Sequence, residues 1–292
     1  MTLSIVILSY NTLDLVLTCV STLRKQYEKE LEDKQVEIIV VDNASEKEVV
    51  DGVQKGLRDL AGVHLVKSRQ NLGFGKGCNL GAKYSKGEFV LFLNSDTKTN
   101  DRGFLEMVNF LKDNPRVAIL GGRLLNFDKT PQASAGKFYT PLNFYIMLFG
   151  GEKFGLLRSS PDNVRAVDWV SGACFMVNKE IFNELSGFDK NIFMYMEDME
   201  ICYRAKKNGF MTYYYPKVSV EHRQHGSSNR SFAILNIYEG ILYFYKKHKS
   251  NLEYQIVRLS LFIKALGVYF LGRLTNNSYY TKTYGQALEI FK

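Results

Sequence analysis

Short apolar runs alternate with helix-patterned stretches through the first third of the chain, and that alternation leaves few folds open. Leu3 to Leu8, Val36 to Val41, Val63 to Val66 and Phe89 to Leu93 are too short for ordinary helices and read as buried strands. Helical patterns separate them: Leu13 to about Gln26, a stretch ending near Leu60, and one ending at Tyr84. Such alternation predicts an α/β fold with a mostly parallel central sheet flanked by helices. Hydrophobic residues at 46% of the 292 are enough for an ordinary globular core.

Three of the four strands end in polar residues: Ser9 and Asn11, Asp42 and Asn43, Asn94 and Asp96. In an open α/β sheet, ligands collect outside the carboxyl ends of the strands. Three polar ends on one edge therefore describe a binding crevice. The central run stops abruptly at Asn94-Ser95-Asp96-Thr97, with no glycine or proline to make a simple turn. Asp96 is placed where a metal ion or a phosphate-bearing ligand would sit. The alternative is that Asn94 and Asp96 cap a helix beginning near Asp101.

The glycines of Asn71 to Asn79 do not make a dinucleotide fingerprint, because Cys78 stands where the third glycine belongs, and no Gly-Lys-Ser/Thr follows. What remains is a turn at a helix N-terminus, with Lys76 near enough to meet a phosphate or nucleoside, or simply a tight strand-to-helix turn. After a strand from Val117 to Leu120, residues 126 to 166 have three prolines and no period, and lie where an acceptor-binding region could form. Val167 to Val177 reads as one strand, entered through Trp169, the only tryptophan.

Glu197, Asp198 and Glu200 then open a helix. Glu200 and Arg204 are an i,i+4 pair. Glu197 and Asp198 point about 100° apart, so one can face the crevice as a proton acceptor while neighbouring donors hold the other. A last strand from Val218 ends at His222, beside a basic loop that could complete a metal site or bind phosphate. A structural histidine is the alternative.

The net charge of +8 calls for an anionic partner: nucleic acid, an anionic membrane or a phosphorylated small molecule. No nucleic-acid module or basic helix is present, so nucleic acid is set aside. Cys19, Cys78, Cys174 and Cys202 are widely spaced and read as packed, reduced thiols of a cytosolic protein. The N-terminus shows no basic n-region or cleavage site, so no signal peptide is expected. From Ser231 onward the chain is apolar and aromatic, with a Lys246–Lys249 basic cluster. Ile256 to Leu274 carries three cations, and a charge near a bilayer centre costs about 2.5–3.5 kcal/mol, which argues against a spanning helix. Helices on an anionic membrane surface, or packed on the α/β domain or a second subunit, are the two readings left.

Residues 3 to about 230 resemble the family 2 inverting glycosyltransferases of GT-A fold, in their bacterial rhamnosyltransferase-like branch. Six blocks in order carry the resemblance: Val6 to Asn11, Val40 to Ser45, Asn71 to Asn79, Leu93 to Thr97, Val170 to Ala173, and Glu197-Asp198 with Cys202 and Arg204. The resemblance implies a GT-A catalytic domain over 1–230 and a helical segment over 231–292 that associates with membrane or packs on a subunit. It implies a nucleotide pocket of Ser9, Asn11, Asp42, Asn43, Asn71, Lys76, Asn94 and Ser95. Asp96 would be the principal ligand for Mg2+ or Mn2+, Asn94 standing where many relatives carry a first aspartate. His222 would complete the metal site, with His225 as the alternative. Asp198 would be the base and Glu197 its hydrogen-bonded support, and Trp169, Gly172 and Ala173 would lie in the acceptor or donor-sugar region.

The implied reaction moves a sugar from a nucleotide-diphosphate donor to a saccharide or polyprenyl-diphosphate-linked acceptor in cell-surface polysaccharide synthesis. The branch favours dTDP-rhamnose, with UDP-sugars open. The implied place is the cytoplasmic face of the cell membrane, as a peripheral protein and as a monomer or homodimer. A sugar-nucleotide pyrophosphorylase would instead carry its glycine-rich loop after the first strand, where this chain has Tyr10-Asn11. A non-catalytic nucleotide-binding or scaffold protein would not need Glu197-Asp198.

Overall fold

The structure is a computed structural model that describes residues 1–223 and 230–292, and of Lys153 the backbone only. Strands β1 (Leu3–Ser9), β2 (Val36–Asp42), β3 (Val63–Lys67) and β4 (Phe89–Asn94) alternate with helices α1 (Leu13–Glu32), α2 (Lys47–Leu57) and α3 (Phe74–Tyr84). They pair in parallel in the order β4-β1-β2-β3. Next come β5 (Thr97–Thr99), α4 (Phe104–Asp113) and β6 (Val117–Leu125). Residues 126–170 form β7 (Pro131–Gln132), β8 (Ala135–Gly136), α5 (Pro141–Leu148), β9 (Arg158–Ser159), β10 (Arg165–Val167) and β11 (Trp169–Val170). The chain closes with β12 (Cys174–Asn178), α6 (Lys179–Glu184), α7 (Glu197–Lys207), β13 (Met211–His222), α8 (Arg230–His248), α9 (Asn251–Leu274) and α10 (Ser278–Glu289).

The main sheet runs β10-β13-β6-β12-β4-β1-β2-β3, with β12 antiparallel between β4 and β6 and with β13 parallel to β6. A small second sheet runs β11-β8-β9. The stretch from Val167 to Val177 is therefore not one strand. Trp169–Val170 belongs to the small sheet, Ser171 to Ala173 turn, and Cys174–Asn178 enters the main sheet. The helix-cap reading of Asn94 and Asp96 also fails. Thr97–Thr99 pairs with the end of β13, Thr97 opposite His222, and α4 starts only at Phe104. Asp101 is the residue that takes the Gly103 N–H, at 2.9 Å.

Alternate residues of each central strand feed two cores, because successive side chains leave a strand on opposite faces. Val6, Val41, Val90 and Phe92 pack with α3, α6 and α7 on one face. Ile5, Ile7, Val40 and Leu91 pack with α1, α2 and α4 on the other. The four cysteines are free and buried within these cores. Burial pushes the thiols of Cys19, Cys174 and Cys202 up to about 12, so they act as packing groups and not as nucleophiles.

The glycines of α3 are there for packing. A Cβ on Gly77 would come within 2.4 Å of Leu8, and one on Gly81 within 2.3 Å of Val6, so α3 lies closer to β1 than any larger residue would allow.

Helices α8 to α10 share the first core: Ile241, Phe244, Tyr245, Leu261 and Ala287 join it directly. Fully burying Phe244 alone contributes roughly 1.5–3 kcal/mol. Gly240 of α8 sits against the turn before α7, where a Cβ would meet Met196 Cγ at 2.9 Å. Glu200, fully buried, accepts from Arg204 at 2.7 Å, Lys247 at 2.7 Å and His248 at 2.9 Å, which ties α7 to α8. Lys247 also pairs with Asp189, and Lys249 lies 4.8 Å above the Tyr203 ring. Three residues of the Lys246–Lys249 cluster thus serve the contact with α7 and the segment before it.

Burial alone would raise the Glu200 carboxyl, but His248, Arg204 and Lys247 outweigh it and hold it at about 2. A depressed carboxyl contributes stability that is present above its ordinary pKa and lost as pH falls towards about 2. Glu200→Ala leaves two cations and a histidine without their counter-charge. It should cost about 3–5 kcal/mol in denaturant unfolding, and an unchanged midpoint would show the hub to be inert.

Candidate active site

The loop after β4 and the end of β13 bring Asn94, Asp96 and His222 together. Gln132, on β7, fixes the histidine. Its amide nitrogen donates to Asn126 Oδ1 at 2.9 Å and also to the His222 carbonyl. The Gln132 oxygen is therefore the end that faces His222 Nδ1, at 2.9 Å, and that nitrogen must donate. In the neutral ring the lone pair is then on Nε2, which lies 3.3 Å from the Asn94 amide and 3.4 Å from Asp96 Oδ1. A lone pair opposite a carboxylate is repulsive unless a positive charge lies between them. One oxygen and one imidazole nitrogen suit a divalent cation that takes its other ligands from substrate and water. Among the described residues no third His, Cys, Asp or Glu joins them. His225 lies outside the described residues, as do its neighbours in 224–229.

At the ends of β1 and β2, Asn11 bridges the strands. Its N–H donates to Ser45 Oγ at 2.9 Å, and its side-chain oxygen accepts the Glu46 N–H at 2.8 Å. Asn11 holds a left-handed φ of +53°, which asparagine tolerates better than most residues. Ser9, Thr12 and Ser95 form a hydroxyl chain with steps of 2.9 and 3.3 Å. Asp42 Oδ2 accepts the Ser45 N–H at 3.2 Å, whereas Oδ1 is buried without a hydrogen-bond partner. An orphaned carboxylate oxygen of this kind is costly unless a ligand donor meets it.

Asn43 and Asn71 are occupied with each other. The Asn43 amide donates to Asn71 Oδ1 at 3.0 Å, and their oxygens take the N–H groups of Leu72 and Gly73 at 2.9 and 3.0 Å. The pair clasps the entry to α3. Lys76 stands exposed on that helix and makes no ion pair among the described residues.

The start of α7 is delivered by a strained turn. Tyr195 and Met196 both hold left-handed φ values, +64° and +72°, at a cost of order 1–3 kcal/mol each. Phe74 N–H donates to Phe193 O at 2.8 Å and pins this turn to α3. Asp198 accepts the N–H groups of Gly172 at 3.1 Å and Met199 at 2.8 Å. Glu197 is buried, and its Oε2 has no hydrogen-bond partner. Asp198 thus takes two N–H groups, whereas one oxygen of Glu197 takes none.

Burial, and then the Asp198 charge, push the Glu197 carboxyl up to about 8. Burial raises Asp198 as well, but the two N–H donors and Arg158 act against it. Both carboxyls are thus raised, and the N–H donors and Arg158 favour charge on half-buried Asp198 over charge on Glu197. The Ser171–Ala173 turn joins the two halves of the crevice: Gly172 donates to Asp198, and Ala173 O accepts the Asn94 N–H at 3.2 Å. Trp169 does not line the crevice. It is buried in the small sheet, and its indole N–H donates to Lys137 O at 3.1 Å.

Residues 4–186 match the profile of Glycosyl transferase family 2. The chain belongs to this family. A Haloferax volcanii protein named low-salt glycan biosynthesis hexosyltransferase Agl10 is 30% identical over 178 residues, 59% of this chain and 53% of the relative. A Mycobacterium tuberculosis protein named N-acetylglucosaminyl-diphospho-decaprenol L-rhamnosyltransferase is 26% identical over 225 residues, 68% of this chain and 70% of its own length. Three relatives named as rhamnosyl transferases are 26–28% identical to this chain. A solved structure of GalNAc-T7 with UDP, GalNAc and Mn2+ superposes with a TM-score of 0.62 at 19% identity, covering 84% of this chain and 50% of that one. That likeness carries the GT-A fold. The chain spans about half the length of the first of these relatives.

Gln132 and Arg158 belong to the site region and carry no sequence signal, since both lie in the aperiodic stretch from 126 to 166. Ser45 had one, standing in a matched block directly after a strand end.

Proposed function

We propose that this glycosyltransferase transfers rhamnose from dTDP-rhamnose, with inversion, to a saccharide acceptor linked to a polyprenyl diphosphate. The observation that carries the reading is the Glu197–Asp198 pair. Asp198 is partly open and accepts two N–H groups, Glu197 is buried with an unpartnered oxygen and a raised carboxyl, and the Ser171–Ala173 turn couples them to the Asn94–Asp96 loop. The mycobacterial relative's name supplies the sugar and acceptor class.

Inverting transfer is a single displacement at the anomeric carbon and needs one base, with no carboxylate nucleophile. Asp198 takes the proton of the acceptor hydroxyl. Glu197 stays protonated, so no second charge competes for that proton. Asp42 Oδ1 meets an N–H of the nucleobase, and the Ser9–Thr12–Ser95 hydroxyls face the nucleoside. The facing donors of Asp96 and His222 fit Mg2+ or Mn2+, which when bound would act as a Lewis acid on the departing diphosphate. Incubation with a panel of nucleotide sugars tests the reading: dTDP-rhamnose should release nucleoside diphosphate. Binding of nucleotides with no turnover of any donor would favour a non-catalytic scaffold.

The C-terminal segment adds a membrane surface to this reading. Residues 230–292 hold nine lysines and arginines against three carboxylates, most of the chain's net +8. Helix α9 is long and apolar enough to cross a membrane by length and composition, and only 22% of its most apolar window is buried. Leu252, Ile256, Leu259, Ile263, Phe270 and Leu274 form one exposed stripe at helical spacing. Arg258, Ser260 and Lys264 flank it and bond inward, to Phe291 O at 2.6 Å, Tyr145 Oη at 3.0 Å and Leu148 O at 2.7 Å. A helix with its polar groups satisfied by protein and its apolar stripe outward suits the interface of an anionic bilayer. The double substitution Leu259→Glu with Ile263→Glu should abolish flotation with anionic liposomes while leaving nucleotide binding intact. Equal flotation would rule the surface out, and a loss of dimer mass instead would assign the stripe to a second copy.

A further inference from the structure

The small sheet holds a cation that the reaction scheme leaves unused. Arg158, Gly136 and Trp169 lie side by side across β9, β8 and β11 in direct register. Gly136 in the middle has no side chain, and a Cβ there would come within 2.6 Å of the indole. Through that gap the Arg158 guanidinium stacks on Trp169, 5.0 Å from the ring centroid. Among the described residues it has no carboxylate partner, and its buried Nε has no hydrogen-bond acceptor. Nearby carboxylates are engaged elsewhere. Glu152 accepts the Tyr139 hydroxyl at 2.8 Å, and Asp168 accepts Lys206 at 3.0 Å and the Phe138 N–H at 3.0 Å.

A stacked, uncompensated guanidinium is a pre-oriented donor fork for a phosphate. Trp169 stands three residues before Gly172, whose N–H donates to Asp198, so the strand under the fork leads directly to the base. The segment just before it exposes Phe149 at 83%, Phe154 at 81% and Leu156 at 54%, an apolar approach ending at the cation. We infer that Arg158 binds the diphosphate of a lipid-linked acceptor, with the isoprenoid leaving over Phe149, Phe154 and Leu156 and the sugar reaching Asp198. This deepens the acceptor class proposed above and rests on that reading. Trp169 is then a positioning residue that acts through Arg158.

The test is a binding experiment and needs no turnover, so it can fail or succeed independently of the donor panel. Farnesyl diphosphate is titrated into the full chain saturated with dTDP and Mg2+. Arg158→Ala should weaken its binding about 10–100-fold and leave dTDP affinity unchanged. Arg158→Lys, which keeps the charge but loses the fork and the stack, should fall between. No binding to the wild-type chain, equal binding by all three, or a loss confined to dTDP would overturn the assignment, the last by giving Arg158 to the donor's diphosphate.

Discussion

Replacing Asp198 with asparagine is expected to lower turnover by ~10²–10⁴-fold, the usual contribution of a positioned general base. Donor affinity should hold, because the base meets the acceptor hydroxyl and not the nucleotide. Asparagine keeps the shape and can still accept the Gly172 N–H, so the loss reports charge and not folding. Glu197→Gln is the informative companion. Glu197 sits in the fold as a neutral acid, and glutamine imitates that form, so turnover should change little. Large loss in Glu197→Gln with retention in Asp198→Asn would exchange the two roles. The pH dependence follows. Turnover falls on the acid side as Asp198 takes up a proton, at a pH above the ordinary aspartate range because burial raises its carboxyl. Glu197 has a raised folded-state pKa, so the stability linked to its proton is full below its ordinary range and is lost as pH rises through about 8.

Asp96→Ala is the second large effect. It removes the only carboxylate facing His222 Nε2 among the described residues, and with it the anionic half of the cation site. Cation-assisted departure of a diphosphate is worth several kcal/mol, so turnover should drop by at least ~10²–10³-fold. Calorimetry should show nucleoside diphosphate binding that no longer responds to Mg2+ or Mn2+. A variant whose affinity still rises with added cation would place the metal elsewhere, and unchanged turnover with or without chelator would remove it from the scheme.

The parts of this fold legible in the sequence are those set by local pattern. β1, β2 and β4 are buried on both faces and so appear as runs that are apolar but for Ser4 and Glu37, which bond to each other, and their polar ends mark the crevice. The strands from β7 to β11 are two or three residues long, too short for any period, and Gln132 and Arg158 went unseen with them. Val167 to Val177 looked continuous because both halves are apolar. The break depends on Gly172 turning its N–H to Asp198 on a distant helix. Lys247 and His248 read as part of a basic cluster for a membrane surface or a packing contact, and they close on Glu200, which lies 47 and 48 residues earlier in the chain. Local spacing identified Glu200 with Arg204 and could not reveal the other two partners.

The most direct measurement of the central claim is the anomeric configuration of the product, read from the one-bond carbon–proton coupling at the transferred sugar. The account predicts a product inverted relative to the donor, formed by the wild-type chain and by Glu197→Gln, and suppressed in Asp198→Asn. A retained configuration would contradict it, since retention requires a second displacement for which this crevice was given no nucleophile.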